Sequence, residues 1–288
     1  MTSQQEVTST TRQANPTCWD MWLKHKAEFC PFLPDLTAIS SEIKFLQRLS
    51  DGGHSYIVKV SLQGRIYALK IFTLIPAQWS RPKFERHALE HDPFILECRV
   101  YDLVTEGEKL GKVGPYCFGW LTITRDQEEE LARNLRYPFD WCRIESTEND
   151  PVRCLLLEYI DGCQIDKGYL TVEGADSLRE QLEYLHSLNI AHGDLFPRNI
   201  MVSKDGRALL IDFSNAIPWP VSKFAVRKKE DFEEYLSYER GALELLLYRL
   251  QKLKRHQGLL FSKANSDEEA YGRPFIDWID RNYQVSDD

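Results

Sequence analysis

An Asp followed five positions later by an Asn, in His192-Gly193-Asp194-Leu195-Phe196-Pro197-Arg198-Asn199, constrains this chain more than any other stretch, because a second acid completes it. Asp212-Phe213-Ser214 ends an apolar run from Ala208 to Ile211 and lies 18 residues beyond Asp194. That separation leaves room for a short strand hairpin that brings both carboxylates together. Either fragment alone reads equally well as a turn or a strand-end cap. Together, at this spacing, they fit a phosphoryl-transfer centre. Such chemistry asks the protein for in-line positioning and charge neutralisation rather than covalent help. Magnesium is a hard cation that takes oxygen ligands and dehydrates reluctantly. Asp212 supplies a carboxylate and Asn199 an amide oxygen, the phosphates of ATP and water supply the rest, and Asp194 stays free to orient an acceptor hydroxyl.

These residues resemble the catalytic and metal-binding loops of the protein-kinase-like superfamily. The upstream sequence is similar to the rest of that machine. Leu49 to Val60 reads as strand, turn and strand where a kinase carries its glycine-rich phosphate loop. Gly52 matches a family glycine and is followed by Gly53, Ser50 and Ser55 stand at the outer glycine positions, and Ile57 stands at the valine. A plain hairpin turn is the alternative for this stretch taken alone. The next strand, Ile66-Tyr67-Ala68-Leu69-Lys70-Ile71, matches the Val-Ala-Ile-Lys pattern, with Ala68 beside the nucleotide and the Lys70 ammonium aimed at its phosphates. Lys70 needs a carboxylate from the following helix. Glu97 is favoured because Ile95, Cys98, Tyr101 and Leu103 or Val104 recur at helical spacing around it after Pro93; Glu85 and Glu90 are its rivals, in the polar stretch 81–91.

Val113 to Trp120 is expected as the next strand, and 122–153 as a charged insertion on the surface. Cys154 to Gly162 reads as a buried strand leading to a hinge, where the backbone of Glu158, Tyr159 and Ile160 would meet adenine. Leu178, Leu182 and Leu185 mark an amphipathic helix that delivers the chain to the catalytic loop.

Departures from the kinase pattern bear on function. Gly193 replaces the Arg that in many protein kinases receives a phosphorylated activation loop, which implies that this mode of switching is absent. Phe196 replaces a Lys near the transferring phosphate, and Arg198 resembles the substitute used in tyrosine kinases; a surface Arg on a turn is its plain reading. Ser214 stands at the family Gly and should favour one resident conformation there. After Asp212 only 76 residues follow, with no Ala-Pro-Glu. They hold Pro218-Trp219-Pro220, a basic patch (Lys223, Arg227, Lys228, Lys229) and a helix over about 230–255. Phe232, Leu236, Leu243, Leu246, Leu247, Leu250 and Leu253 form its core-facing stripe, and Gly241 would allow close approach of a neighbour.

Composition agrees with a two-lobed enzyme. At 288 residues and 43% hydrophobic, the chain is long enough for a large core with a cleft. It has no apolar run near membrane-spanning length, and its first residues are too polar for a signal peptide, so the expected location is intracellular, cytoplasmic or nuclear, with no membrane partner. Seven scattered cysteines without a Cys-x-x-Cys are expected as buried thiols, and a net charge of −8 argues against nucleic-acid partners.

The loop His-Gly-Asp-Leu-x-Pro-x-Asn also resembles that of aminoglycoside and choline phosphotransferases. Over roughly 49–250 the chain is closer to the compact kinase-like proteins of filamentous fungi, a group with relatives of a Sim4 kinetochore-complex subunit; Glu97 to Tyr101, Leu155 to Tyr159 and His192 to Ile200 carry that likeness. The resemblance implies an α+β, two-lobed, protein-kinase-like fold: a polar tail at 1–15, a small antiparallel-sheet N-lobe at 16–160 and a reduced, mainly helical C-lobe at 161–288. It implies an ATP- and magnesium-dependent phosphotransferase acting on an unknown hydroxyl acceptor, protein or small molecule. The other reading is a catalytically silent kinase-fold scaffold, for which Ser50, Ser55 and the short C-lobe speak.

Overall fold

The structure, a computed structural model, describes residues 17–74, 92–220 and 228–255. Its first half is a five-stranded antiparallel sheet in the order β1-β2-β3-β5-β4, made of β1 (Lys44–Asp51), β2 (Ser55–Leu62), β3 (Arg65–Phe72), β4 (Cys117–Ile123) and β5 (Val152–Glu158). Strand alternation decides what faces the cleft. Leu69 and Ile71 pack on one face with Val58, Val60 and Leu62, while Ala68 and Phe72, flanking Lys70, join the other core with Phe94 and Leu155.

Helix α1 (Cys18–Phe29) opens with a capping box between Thr17 and Asp20. Helix α2 (Pro93–Glu106) starts on Pro93, whose missing N–H is no loss at that position. Asp92 caps it by accepting from the Phe94 and Ile95 amides (2.9 and 3.4 Å), and its other oxygen pairs with Arg153 at 2.5 Å, both side chains buried. Trp22 of α1 packs edge-on against Phe94 of α2 and Trp120 of β4. Asp102 of α2 accepts the backbone N–H groups of Phe32 and Leu33, both at 2.7 Å. The segment leaving α1 is thereby clamped to the helix that carries Glu97.

Two expectations for this half need correction. β4 begins at Cys117, because the chain from Leu110 is a turn with Gly111 and Gly114 at φ +73° and +68°. The stretch 122–153 is more than a surface insertion. It completes β4, forms helix α3 (Arg125–Leu135) and starts β5, and it buries Leu131 and Trp141 in the second core. Trp141 stacks on Phe139 and meets Tyr56 of β2 edge-on. The charges had hidden an amphipathic pattern: Glu128 is itself buried, paired with Arg143 at 2.5 Å.

Beyond β5 the structure is mainly helical, with small strands that carry the loops. β6 (Gly162–Gln164) pairs with β8 (Ile200–Ser203), which pairs with β9 (Ala208–Leu210). Helix α4 (Val172–Ser187) buries Leu178, Leu182 and Leu185. β7 (Ile190–Ala191) pairs with β10 (Ile217–Pro218), and α5 (Lys229–Arg255) closes the described chain. In α5, Phe232, Leu236, Leu243, Leu246, Leu247 and Leu250 are buried, whereas the side chain of Leu253 lies outside the described residues. Gly241 does not mediate a close approach: a Cβ built there meets nothing within 4 Å. Of the basic patch, Lys223 and Arg227 lie outside the described residues, and Lys229 pairs with Glu233 at 3.6 Å.

Candidate active site

Lys70 is the centre of the site. Its Nζ lies 2.5 Å from Glu97 Oε2 and 2.6 Å from Asp212 Oδ1, and its side chain is only 3% exposed. β3 points it inward, α2 brings Glu97 and the turn after β9 brings Asp212. Burial alone would discharge the ammonium, but Glu97 and Asp212 outweigh it and hold the Lys70 pKa above its ordinary value. For Glu97 the balance runs the other way: burial exceeds the pull of Lys70 and lifts the carboxyl above the usual range. Asp212 is also pushed up by burial, yet Lys70 and the Ser214 hydroxyl overcome that and hold it well below the usual carboxylate range. Glu85 and Glu90, the rivals of Glu97, lie outside the described residues.

The hairpin β8–β9 joins the two loops. Asp212 follows it at φ +65°, a left-handed conformation that Asp tolerates, and caps the short turn Phe213–Asn215. Ile211 N donates to Asn199 O at 2.8 Å, and His192 Nε2 lies 3.1 Å from Ile211 O, so the two loops are tied twice. Within the first loop, the Asn199 amide nitrogen donates to Asp194 O and Asp194 Oδ2, both at 2.8 Å, and Arg198 Nη2 donates to Asp194 Oδ1 at 2.9 Å. Arg198 is exposed and lies over the Phe196 ring, 4.3 Å from its centroid.

The phosphate-loop candidates form the turn of the β1–β2 hairpin. Ser50, Gly52 and Gly53 are exposed, Ile57 is half-buried opposite Lys70, and Ser55 is buried. The Gly52 N–H is already used, donating to Ser55 O at 2.8 Å. At the end of β5, the Glu158 carboxylate accepts from Arg207 (2.8 Å) and the Tyr116 amide (3.2 Å), and the Glu158 N–H donates to Tyr116 O at 2.8 Å. Lys59 lies over the Tyr159 ring at 4.2 Å, and Ile160 is buried.

Two residues that the sequence reading passed over, Glu239 and His54, belong to this site. Glu239 of α5 is buried; one carboxylate oxygen accepts from His192 N (3.0 Å) and meets His186 Nε2 (2.9 Å), and the other accepts from Gly193 N (2.8 Å). Gly193 sits at φ +77°, where a Cβ would come within 2.0 Å of Asn215 O. That contact, and not only the loss of an Arg, is what a glycine supplies here. His54, in the turn after β1, bonds through Nε2 to Ser214 Oγ at 2.8 Å, and Ser214 Oγ donates to Asp212 Oδ1 at 2.5 Å. Glu239 carries no local signal, since an acid in an amphipathic helix reads as solvated. His54 is a single polar residue in a turn and gave none either.

The residues present fit a magnesium–nucleotide ligand. Asp212 Oδ1 takes the bonds from Lys70 and Ser214, so Oδ2 would be the oxygen to hold a metal. Asn199 uses its amide nitrogen on Asp194, so its amide oxygen would be the atom to hold a metal. Of the cysteines, 30, 98, 117 and 154 are buried free thiols, Cys163 is half-buried and Cys142 exposed, which departs from a uniformly buried set. No described helix is long and apolar enough to cross a membrane.

Comparison with known proteins gives distant kinase similarity over part of the chain. Over 98 residues, 31% of this chain, it is 30% identical to the cAMP-dependent protein kinase catalytic subunit 3 of Drosophila melanogaster, spanning 17% of that protein. Over 111 residues, 35% of this chain, it is 32% identical to the serine/threonine-protein kinase KIPK1 of Arabidopsis thaliana, spanning 12% of it. With serine/threonine-protein kinase 36 of Pongo abelii it shares 35% identity over 98 residues, 31% of this chain and 8% of that protein. The chain therefore covers less than a fifth of each relative's length. Residues 13–217, most of the chain, match one family throughout: the chain belongs to the family of kinetochore Sim4 complex subunit FTA2.

Proposed function

We propose that this member of the FTA2 family is an ATP- and magnesium-dependent phosphotransferase that moves the γ-phosphate of ATP to a hydroxyl of a protein or small-molecule acceptor. The observation that supports this best is the placement of Lys70 between Glu97 and Asp212, with the Asp194–Asn199 loop tied to the same turn. Every polar role that phosphoryl transfer needs has a residue in reach of its neighbour. In this reading Lys70, aligned by Glu97, binds the α and β phosphates, and backbone groups of residues 158–160 other than the Glu158 N–H, which donates to Tyr116 O, meet adenine. Asp212 and Asn199 would hold magnesium, which neutralises phosphate charge when bound. Asp194 orients the acceptor hydroxyl and receives its proton at a carboxylate oxygen as transfer proceeds. Arg198, paired with Asp194, screens charge on the leaving and entering oxygens. The division into a sheet lobe at 16–160 and a reduced lobe at 161–288, with the cleft between them, belongs to the same proposal. So does a place in a kinetochore assembly and hence in the nucleus.

A second reading has its own observation. The Gly52 N–H is occupied within the hairpin and Ser55 is buried, which weakens the phosphate loop and favours a kinase-fold scaffold that binds nucleotide or a partner without turnover. Thermal unfolding with nucleotide separates the two. Mg-ATP at about 100 times its dissociation constant should add roughly 2.7 kcal/mol of stability to the wild type. Lys70→Met should lose both that shift and turnover, since it removes the phosphate contact and leaves Glu97 and Asp212 facing each other uncompensated. No shift with any nucleotide and metal overturns the phosphotransferase reading. A shift without hydrolysis or transfer to any acceptor makes the chain a nucleotide-binding scaffold.

A further inference from the structure

The turn of the β1–β2 hairpin reaches across to the segment that holds Asp212 through one side chain. His54 Nε2 lies 2.8 Å from Ser214 Oγ, and Ser214 is fully buried. The Ser214 hydroxyl has one proton, and it goes to Asp212 Oδ1 at 2.5 Å, an oxygen that also accepts from Lys70 Nζ at 2.6 Å. Ser214 Oγ must therefore accept from His54, so His54 carries its proton on Nε2. His54 is itself anchored: its carbonyl accepts from Thr73 N at 3.0 Å and from Thr73 Oγ1 at 3.2 Å, at the end of β3. The result is a directed chain from the phosphate-loop turn to the carboxylate, His54 to Ser214 to Asp212, ending on the oxygen that also receives Lys70.

We infer that His54 and Ser214 are positioning residues for Asp212: they fix its Oδ1, leave Oδ2 for a metal, and tie the β1–β2 hairpin to that orientation. Donors that saturate one carboxylate oxygen remove its rotational freedom, which is how a neighbouring shell of hydrogen bonds tunes a metal ligand. The polar contact at Ser214 also explains why a side chain stands there. The functional half of this inference rests on the nucleotide-binding reading above; the hydrogen-bond chain itself does not.

Two measurements on the full chain test it. Nitrogen-15 spectra of the histidine rings should show His54 as the Nε2–H form with a slowly exchanging proton in wild type and in Ser214→Thr, which keeps the hydroxyl, and should lose that signature in Ser214→Ala. Affinity for ATP is then measured with magnesium and with chelator. Ser214→Ala and His54→Ala should each weaken Mg-ATP about tenfold while changing metal-free ATP less than about twofold, and Ser214→Thr and His54→Gln should recover most of the loss. The double variant should be no worse than the poorer single one, because both break one chain. Equal losses with and without magnesium, or fully additive losses, overturn the positioning role. An unchanged His54 ring signal in Ser214→Ala overturns the chain even where wild type binds no nucleotide, an outcome that would separately end the phosphotransferase reading.

Discussion

At the scale of single residues, the two aspartates sit in different surroundings, and in the phosphotransferase reading that difference separates the roles proposed for them. Asp194 has both oxygens engaged by neutral or charged donors of its own loop, Asn199 and Arg198. Asp212 shares one oxygen with Lys70 and Ser214 and is held ionised. Asp194→Asn should abolish transfer and leave Mg-ATP affinity within about twofold, because an orienting group acts only on the acceptor side. Asp212→Asn should weaken Mg-ATP at least about tenfold more than metal-free nucleotide, because it removes an anionic ligand. Isothermal titration of both variants checks the division, and matching affinities would undo it. Asp212 also has a pH signature. Its folded pKa is depressed, so its stabilising effect is present above the ordinary Asp value and fades as pH falls through the folded one. The part of the stability gap between wild type and Asp212→Asn that comes from this carboxylate should narrow as pH falls below about 4.

At the scale of elements, the 192–199 loop is held by a helix that comes later in the chain. Glu239 of α5 takes the backbone N–H groups of His192 and Gly193, and His186 at the end of α4 meets the same carboxylate. Glu239→Ala leaves those two amides without their acceptor, at about 1–3 kcal/mol for a buried group. For a chain of this size that amounts to a melting temperature lower by roughly 2–4 °C per kcal/mol, with a larger fractional loss of transfer than of Mg-ATP binding. A variant that melts and transfers like wild type would remove α5 from the site. This brace also marks where the sequence stopped being legible. The loops themselves, Lys70 on its strand, Glu97 behind Pro93 and the hairpin between Asp194 and Asp212 could be read because each is a short pattern tied to a local element. Glu239 could not, since its partners lie 46 and 47 residues away and amphipathic periodicity assigns an acid to solvent. The same rule misread 122–153, where Leu131 and Trp141 are the core positions among many charges.

At the scale of the whole molecule, the site is assembled from parts near both ends of the described chain. Trp22 of α1 packs on Phe94 of α2, Asp102 fixes the segment behind α1, and α2 delivers Glu97 to Lys70; from the other side α5 supplies Glu239 to the catalytic loop. Apart from the Lys70–Glu97 pair, none of these contacts had a sequence signature, because packing between distant helices follows from shape and not from a motif. They bear on regulation. In many kinases an Arg before the catalytic Asp receives a phosphorylated segment and thereby orders the site. Here that position is Gly193, with its N–H bound to Glu239 and no room for a Cβ beside Asn215 O. The arrangement is held by buried contacts that form on folding, so phosphorylation has no receptor to act through at this point. Exhaustive phosphatase treatment of protein purified from its native cells should therefore leave transfer within about twofold, a change under roughly 0.5 kcal/mol in the barrier. Gly193→Arg should not create such a switch; it should unfold the loop, because an arginine at φ +77° drives its Cβ into the Asn215 carbonyl. A tenfold fall in transfer on dephosphorylation, restored by rephosphorylation, would mean that ordering of the site depends on a phosphate after all.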